Sequence, residues 1–373
     1  MKLQRHGLVV GLVAGALALS ACGSDNTDSN SAGSGSGSGS SASGASVDCA
    51  SGTLSWDGSS AQKTAVTQWI QQYQTQCAQA SINYQGQGSG AGRTAFYGGQ
   101  IPVAGSDASI ADADKSKADT RCKGGKAVNL PMVLTPVEFI YNVQGVSDLT
   151  VTPDILSKIF SGKIATWNDA EIAKANPGAT LPSTTITTVH RSKDSGTTQN
   201  FQNFLTAQSP SLWTYGTGQA WTAPGGQGAA DSSALVQSVK GTDGAIGYVD
   251  GPDATKNSLT PAKLDVGAGA VAPSADTVGK AVSAAEVSGD AQDIVLKINY
   301  GLKDAGTYPA ILATYEITCT QGLTADQAKF VKSFLTYTAS ESGQSELTKL
   351  GYSQLPDSLA TKVRSAVDAL SAA

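Results

Sequence analysis

Short apolar, strand-like runs alternate with amphipathic, helix-like segments along most of this chain, and small hydroxyl-bearing turns stand between them. "LSWDGSSAQKTAVTQWIQQYQ" shows one such unit: a strand, a Gly-Ser-Ser turn, then a helix with Val66, Trp69, Ile70 and Tyr73 on one face. "SINYQGQGSGAGR" and "IPVAGSD" read as two further strands, the first running into a glycine-rich turn. Strands follow at "PVEFIYN", "TTITTVHR", "GAIGYVD" and "AILATYEIT". Helices are predicted at "PDILSKIFSG", at "DAEIAKAN", from Ser195 through Leu205, around Phe330 to Leu335, and from Leu359 to Leu370. This alternation predicts an α/β fold with largely parallel sheets.

In open α/β sheets, ligands sit beyond the carboxyl ends of strands, where turns lead into helices. Gly58-Ser59-Ser60-Ala61, Gly88-Ser89-Gly90-Ala91 and Ser195-Gly196-Thr197 have that address. A helix start leaves backbone N–H groups unpaired and carries partial positive charge. Hydroxyls, a glycine and Arg191 at such a point therefore make an anion site. The plainer alternative for the third turn is a helix capped by Asp194 or Ser195.

The ends of the chain bound its surroundings. Lys2 and Arg5 precede an apolar run from Leu8 to Leu19, too short to span a membrane comfortably, and then small residues and Cys22. Residues 1–22 read as an export signal. Residues 23–47 are rich in Gly, Ser and Ala, have Val47 as their only larger aliphatic residue, and read as a flexible tether. The formal charge of −5 argues against a nucleic-acid surface. An anion must then be held by local geometry.

Beyond Cys22, the cysteines are Cys49, Cys77, Cys122 and Cys319. In an oxidising compartment this even set reads as disulfides, with Cys49–Cys77 and Cys122–Cys319 favoured because the first pair brackets one strand-helix unit. No cysteines have the C-x-x-C spacing of zinc sites, and past the signal His190 is the single histidine, so no metal is expected.

Gly86, Gly88 and Ala91, with Asp107 further on at a strand end, match a dinucleotide-binding pattern. The element after Ala91 has room for only about two turns, and the motif does not sit on the first strand of its domain; no cofactor is expected. A Ser195–His190 hydrolase is the enzymatic alternative. It lacks a G-x-S-x-G elbow, and strand alternation turns His190 away if Arg191 faces the cleft. A non-enzymatic binder is the expected class. A surface-coat role is a third class, and it would show no anion binding at all.

"INYQGQGSGAG", "IFSGKIATWNDAEIAKANPGATLPSTTITTVHRS", "SGTTQNF", "DGAIGYVD" and "YSQLPDSLATKVRSAV" together resemble the phosphate-binding lipoproteins of bacterial phosphate-specific ABC importers. The end of the signal, Leu19-Ser20-Ala21-Cys22, likewise resembles a lipobox; an ordinary secretory signal is the alternative. The resemblance implies a two-lobed periplasmic-binding-protein type II fold with a two-stranded hinge, lobe I spanning 48–142 and 308–373 and lobe II 143–307. It implies a monomer, lipid-anchored through Cys22 to the outer face of the cytoplasmic membrane, in a Gram-positive setting. Its ligand would be inorganic phosphate, or another tetrahedral oxyanion, delivered to the importer's membrane subunits by cleft closure.

Carried over residue by residue, the resemblance places ligand contacts at Ser60, the backbone of Ala61, Ser89, Asp107, Arg191, Ser195, Gly196 and Thr197. The chain departs from the family at three places. Ser60-Ala61 stands where Thr-Phe is common, leaving the register between Ser59 and Ser60 open. Gly90 stands where a second serine is usual. Lys193 stands where an aspartate is usual, the acid falling at Asp194.

Overall fold

The structure is a computed structural model that describes residues 47–371; the signal, Cys22 and the tether up to residue 46 lie outside the described residues. β1 (Gly52–Gly58) leads into α1 (Lys63–Gln76), β2 (Ala80–Tyr84) into α2 (Ser89–Tyr97), and β3 (Val103–Ser106) into α3 (Asp112–Arg121). After the long β4 (Ala127–Asn142) come β5 (Thr150–Val151), α4 (Pro153–Phe160), α5 (Ala170–Ala175), β6 (Thr187–Arg191) and α6 (Gly196–Gln208). β7 (Gln227–Ala229), α7 (Ser232–Gly241), β8 (Ala245–Asp250) and α8 (Gly251–Lys256) follow. β9 (Lys263–Asp265), β10 (Ala270–Val271), α9 (Ala275–Ser283), β11 (Glu286–Gly289) and β12 (Ile294–Lys297) lead back to β13 (Ile311–Cys319). α10 (Ala325–Ala339), α11 (Glu341–Lys349) and α12 (Asp357–Asp368) complete the chain.

Local signals account for many of these boundaries. On α1, Val66, Trp69 and Tyr73 are fully buried as the period of the sequence requires, but Ala65 completes the buried stripe and Ile70, expected on that face, is only half-buried. Thr152 caps α4 by accepting from the Ile155 amide, with Pro153 in the first turn. Thr324 and Gln327 form a capping box at α10.

The main sheet has eight strands in the order β2-β1-β3-β13-β4-β8-β6-β7. Its flanks are parallel: β1 with β2 and β3, and β6 with β7 and β8. Its centre is antiparallel, because β13 pairs β3 and β4, and β4 pairs β8. The expectation of largely parallel sheets therefore holds only in the flanks of the main sheet; β9 with β10 and β11 with β12 are antiparallel as well. The reason is topological: β4 carries the chain from the first half of the sheet to the second, and β13 brings it back. Pro136 of β4 still faces Ile311, whereas Val137 already faces Asp250 of β8. The Val137 amide donates to Ala310 O at 2.7 Å at the point of passage. Two strands thus join two lobes.

Each half has its own core. Trp56, Trp69, Tyr73, Phe330 and Phe334 pack under the first half, together with Val278, Val282, Ile294 and Leu296 from the α9–β12 segment. Phe139, Phe160, Trp167, Phe201, Phe204 and Tyr248 pack on one face of the second half. Val189, Leu235, Val236, Val239 and Val249 pack on the other face, under α7. Within β8, Ile246 and Tyr248 enter one core while Ala245 and Val249 enter the other, the period-two alternation of a strand covered on both sides. Disulfides join Cys49 to Cys77 and Cys122 to Cys319, both within the first lobe. Among the described residues no helix is long and apolar enough to cross a membrane.

Candidate functional site

The three hydroxyl-bearing turns converge where the lobes face each other. Arg191 is the last residue of β6 and is 2 % exposed. Its Nη1 donates to Ser60 Oγ at 2.9 Å and to Ser195 Oγ at 3.1 Å, and Nη2 donates to Ala230 O at 3.1 Å. These partners are all neutral. Burial lowers the Arg191 pKa, and the surrounding Tyr248, Asp107, Asp231 and Asp250 oppose that shift. Its Nε has no partner among the described residues, and neither does the buried hydroxyl of Thr197. A desolvated cation with an unpartnered N–H, and a buried unpartnered hydroxyl on the helix start that follows it, match an anion that accepts hydrogen bonds.

The first lobe contributes the starts of α1 and α2, neither of which has a side-chain cap. Ser60 Oγ lies 2.9 Å from Ser232 Oγ as well as on Arg191, so it touches two elements of the other lobe. Ser59 is buried too, and its Oγ accepts from the Ala61 amide at 3.1 Å. Of the two serines of the uncertain register, Ser60 is the one that reaches the guanidinium. The Ala61 N–H is directed to Ser59.

Ser89, the first residue of α2, accepts from the Asp107 amide at 3.0 Å and donates to Asp107 Oδ2 at 3.2 Å. Thr314 of β13 donates to Asp107 Oδ1 at 2.8 Å. Asp107 is 3 % exposed. Burial raises its pKa, while the hydroxyls of Ser59, Thr314 and Ser89 and the charge of Arg191 hold the increase down. The hydroxyls of Ser89 and Thr314, donated one to each oxygen, are what an ionised carboxylate needs in a dry place.

From the second lobe, α6 brings Ser195, Gly196 and Thr197. Ser195 caps the helix through the Thr198 amide, as the plainer reading of this turn expected, and also receives Arg191. A Cβ on Gly196 would lie 2.5 Å from Asp107 Cβ and 2.6 Å from Ser89 Oγ; only glycine lets the helix start come this close. All eight residues expected at the site are therefore buried around one interlobe seam.

His190 turns the other way. Its ring stacks on Trp221, with centroids 4.9 Å apart, and Nδ1 contacts the Arg191 carbonyl. Lys193 is exposed. Two of the three departures from the family pattern meet physically: a Cβ on Gly90 would lie 2.5 Å from Asp194 Cβ. A serine at 90 and this path of the 193–194 segment exclude each other. At the would-be dinucleotide motif, Gly92 packs on β1, where a Cβ would lie 2.5 Å from Gly58 Cα, and Asp107 is engaged as above.

Ser232, Thr314 and Asn200 were not anticipated. Ser232 had a readable signal, since "ADSSAL" is again a small, hydroxyl-bearing turn ahead of a helix. Thr314 lies within an unbroken buried strand, which gives no such mark.

A two-lobed α/β chain whose polar cleft lies at a two-stranded crossing belongs to a definite class, and residues 43–342 match the PBP superfamily domain. Phosphate-binding protein PstS 3 of Mycobacterium tuberculosis (strain ATCC 25618 / H37Rv) is 39% identical over 376 residues, covering 99% of this chain and 100% of that one. Phosphate-binding protein PstS 3 of Mycobacterium leprae (strain TN) is 38% identical over 375 residues, with the same coverage. In fold the chain is similar to PfluDING, a high affinity periplasmic phosphate-binding protein solved with phosphate, at a TM-score of 0.68 and 22% identity, covering 84% of this chain and 93% of that one. The chain belongs to the PstS family of phosphate-binding proteins.

Proposed function

We propose that this protein is an extracytoplasmic receptor that closes its two lobes on one inorganic phosphate and delivers it to the membrane subunits of an ABC importer. The observation that carries this reading is the juxtaposition of a buried, neutrally partnered Arg191 with a buried Asp107 held by two hydroxyls, at the meeting of three helix starts. A tetrahedral anion that loses its hydration needs donors on every oxygen. Ser60, Ser195, Thr197 and the first amides of α1, α2 and α6 supply neutral ones, and Arg191 supplies the charge, while the Ser89 hydroxyl donates to Asp107. Asp107, an acceptor once ionised, meets an oxygen that carries a proton; phosphate has one at neutral pH and sulfate does not.

No group of this site is arranged for cutting. His190, the base that a Ser195 hydrolase would need, is stacked on Trp221 and bonded to a main-chain carbonyl. Calorimetry against phosphate, arsenate, phosphite and sulfate tests the receptor reading: binding of phosphate with sulfate excluded supports it, and no heat with phosphate ends it. Turnover of a chromogenic phosphate ester would restore the hydrolase.

We further propose a monomer, exported by residues 1–22, acylated on Cys22 and tethered by residues 23–47 to the outer face of a Gram-positive cytoplasmic membrane. Release of a Cys22→Ala protein into the medium is the expected outcome. Lobe I would comprise 48–142 and 308–373, and lobe II 143–307. The packing of α9 and β12 on the first core supports assigning that segment to lobe I instead.

A further inference from the structure

We propose that Asn200 is a positioning residue that ties closure of the lobes to the placement of Asp107; this rests on the phosphate-receptor reading above. Asn200 lies one turn into α6 and is 4 % exposed. Its Nδ2 donates to the main-chain oxygen of Asp107 at 2.7 Å and to that of Gly196 at 2.8 Å. Its Oδ1 accepts from the Tyr300 hydroxyl. This set fixes the amide orientation, because the reverse would turn Oδ1 toward two carbonyl oxygens. Tyr300 is itself held from α6: Gln208 Nε2 donates to its carbonyl at 2.7 Å and to that of Leu302 at 2.9 Å.

The bonds of Asn200 differ in what they depend on. Only the bond to Gly196 lies within α6; Tyr300 packs against the second core while its neighbours Ile298 and Leu302 pack against the first, so its hydroxyl reaches Asn200 from a segment that touches both. The bond to Asp107 crosses to the first lobe and exists only while the lobes are together. It fixes the peptide that follows the Asp107 side chain at the moment the start of α6 arrives within reach of that carboxylate. The contact lies at the rear of the cleft, where Asp107, Gln199, Asn200, Tyr300 and Tyr315 line a cavity of about 230 Å³. The three hydrogen-bond partners of Asn200 are all protein groups, so its effect on a ligand is indirect.

In such an arrangement Asn200 favours the closed form without discriminating among anions. In the full chain, Asn200→Ala leaves two buried carbonyls short of a donor, and Asn200→Asp sets a carboxylate against them. Each variant is expected to bind inorganic phosphate about ten- to a hundredfold more weakly, through faster release. The phosphate-to-arsenate affinity ratio should stay at the wild-type value, and the affinity loss should exceed what any fall in the melting temperature of the ligand-free protein accounts for. Tyr300→Phe, which removes only the donor to Oδ1, should give a smaller loss in the same direction, and it keeps the test open if the Asn200 variants fail to fold. Wild-type affinity and release rates in Asn200→Ala, or in Tyr300→Phe if that is the only folded variant, would overturn the proposal. So would an altered anion ratio, or an affinity loss that only tracks a fall in ligand-free melting temperature. A wild-type protein that binds no phosphate would instead bring down the receptor reading, and this inference with it.

Discussion

Arg191 Nη1 and Ser60 Oγ, 131 positions apart in sequence, share a 2.9 Å hydrogen bond that links the end of β6 to the turn before α1. One guanidinium thereby gathers Ser60 from one lobe and Ser195 from the other. Lysine cannot reproduce this planar fork, since its ammonium is a single point of charge. Arg191→Lys is therefore expected to weaken phosphate binding by about 2 kcal/mol or more, roughly thirtyfold, as measured by titration calorimetry. An affinity within about threefold of wild type would remove Arg191 from the centre of the site.

Asp107→Asn keeps the shape of the side chain and replaces one acceptor by a donor. Phosphate should bind more weakly and sulfate more strongly, narrowing the preference by about tenfold or more. Competition titrations with the two anions measure it. An unchanged ratio would mean that the carboxylate only holds Ser89 and Thr314 in place.

Gly196→Ala tests the close approach of α6. The added methyl would meet Asp107 Cβ at 2.5 Å and Ser89 Oγ at 2.6 Å, atoms of the opposite lobe. Overpacking of this kind costs about 1 to 3 kcal/mol, here paid by the closed arrangement and not by either core. Expected are a roughly ten- to hundredfold loss of phosphate affinity and a ligand-free melting temperature close to that of wild type.

Glu138 gives a pH dependence of stability. Burial raises its pKa from 4.5 to about 8. The folded chain then holds a proton that the unfolded chain releases, so the contribution is fully present below pH 4.5 and is lost as pH rises toward 8. Glu138→Gln should flatten this decline and leave the protein about 1 to 3 kcal/mol more stable than wild type at pH 8. Denaturant titrations at acid and alkaline pH would show it; parallel pH profiles for the two proteins would refute it.

What could be read from the residues depended on how local the signal was. The β1–α1 unit, the helix after Ser195 and the opposed faces of His190 and Arg191 follow from period and capping within a few positions. The first half of β4 did not announce itself. "AVNLPMVLT" contains Pro131, and the strand is buried on both faces, so the alternation that marks a half-exposed strand is missing. Thr314 and Asn200 reach Asp107 across 207 and 93 positions. Their roles arise from strand order and lobe contact, which no local period encodes.

The Cys122–Cys319 bridge lies at the end of the β4–β13 pair where Ala127 faces Cys319, and the passage between lobes lies at the opposite end, where Pro136 faces Ile311. The pair is thus stapled covalently at one end and carries the crossing between lobes at the other. Thr314, at the register shift partway along, donates to Asp107, so the carboxylate is moored to the same two strands that make the crossing.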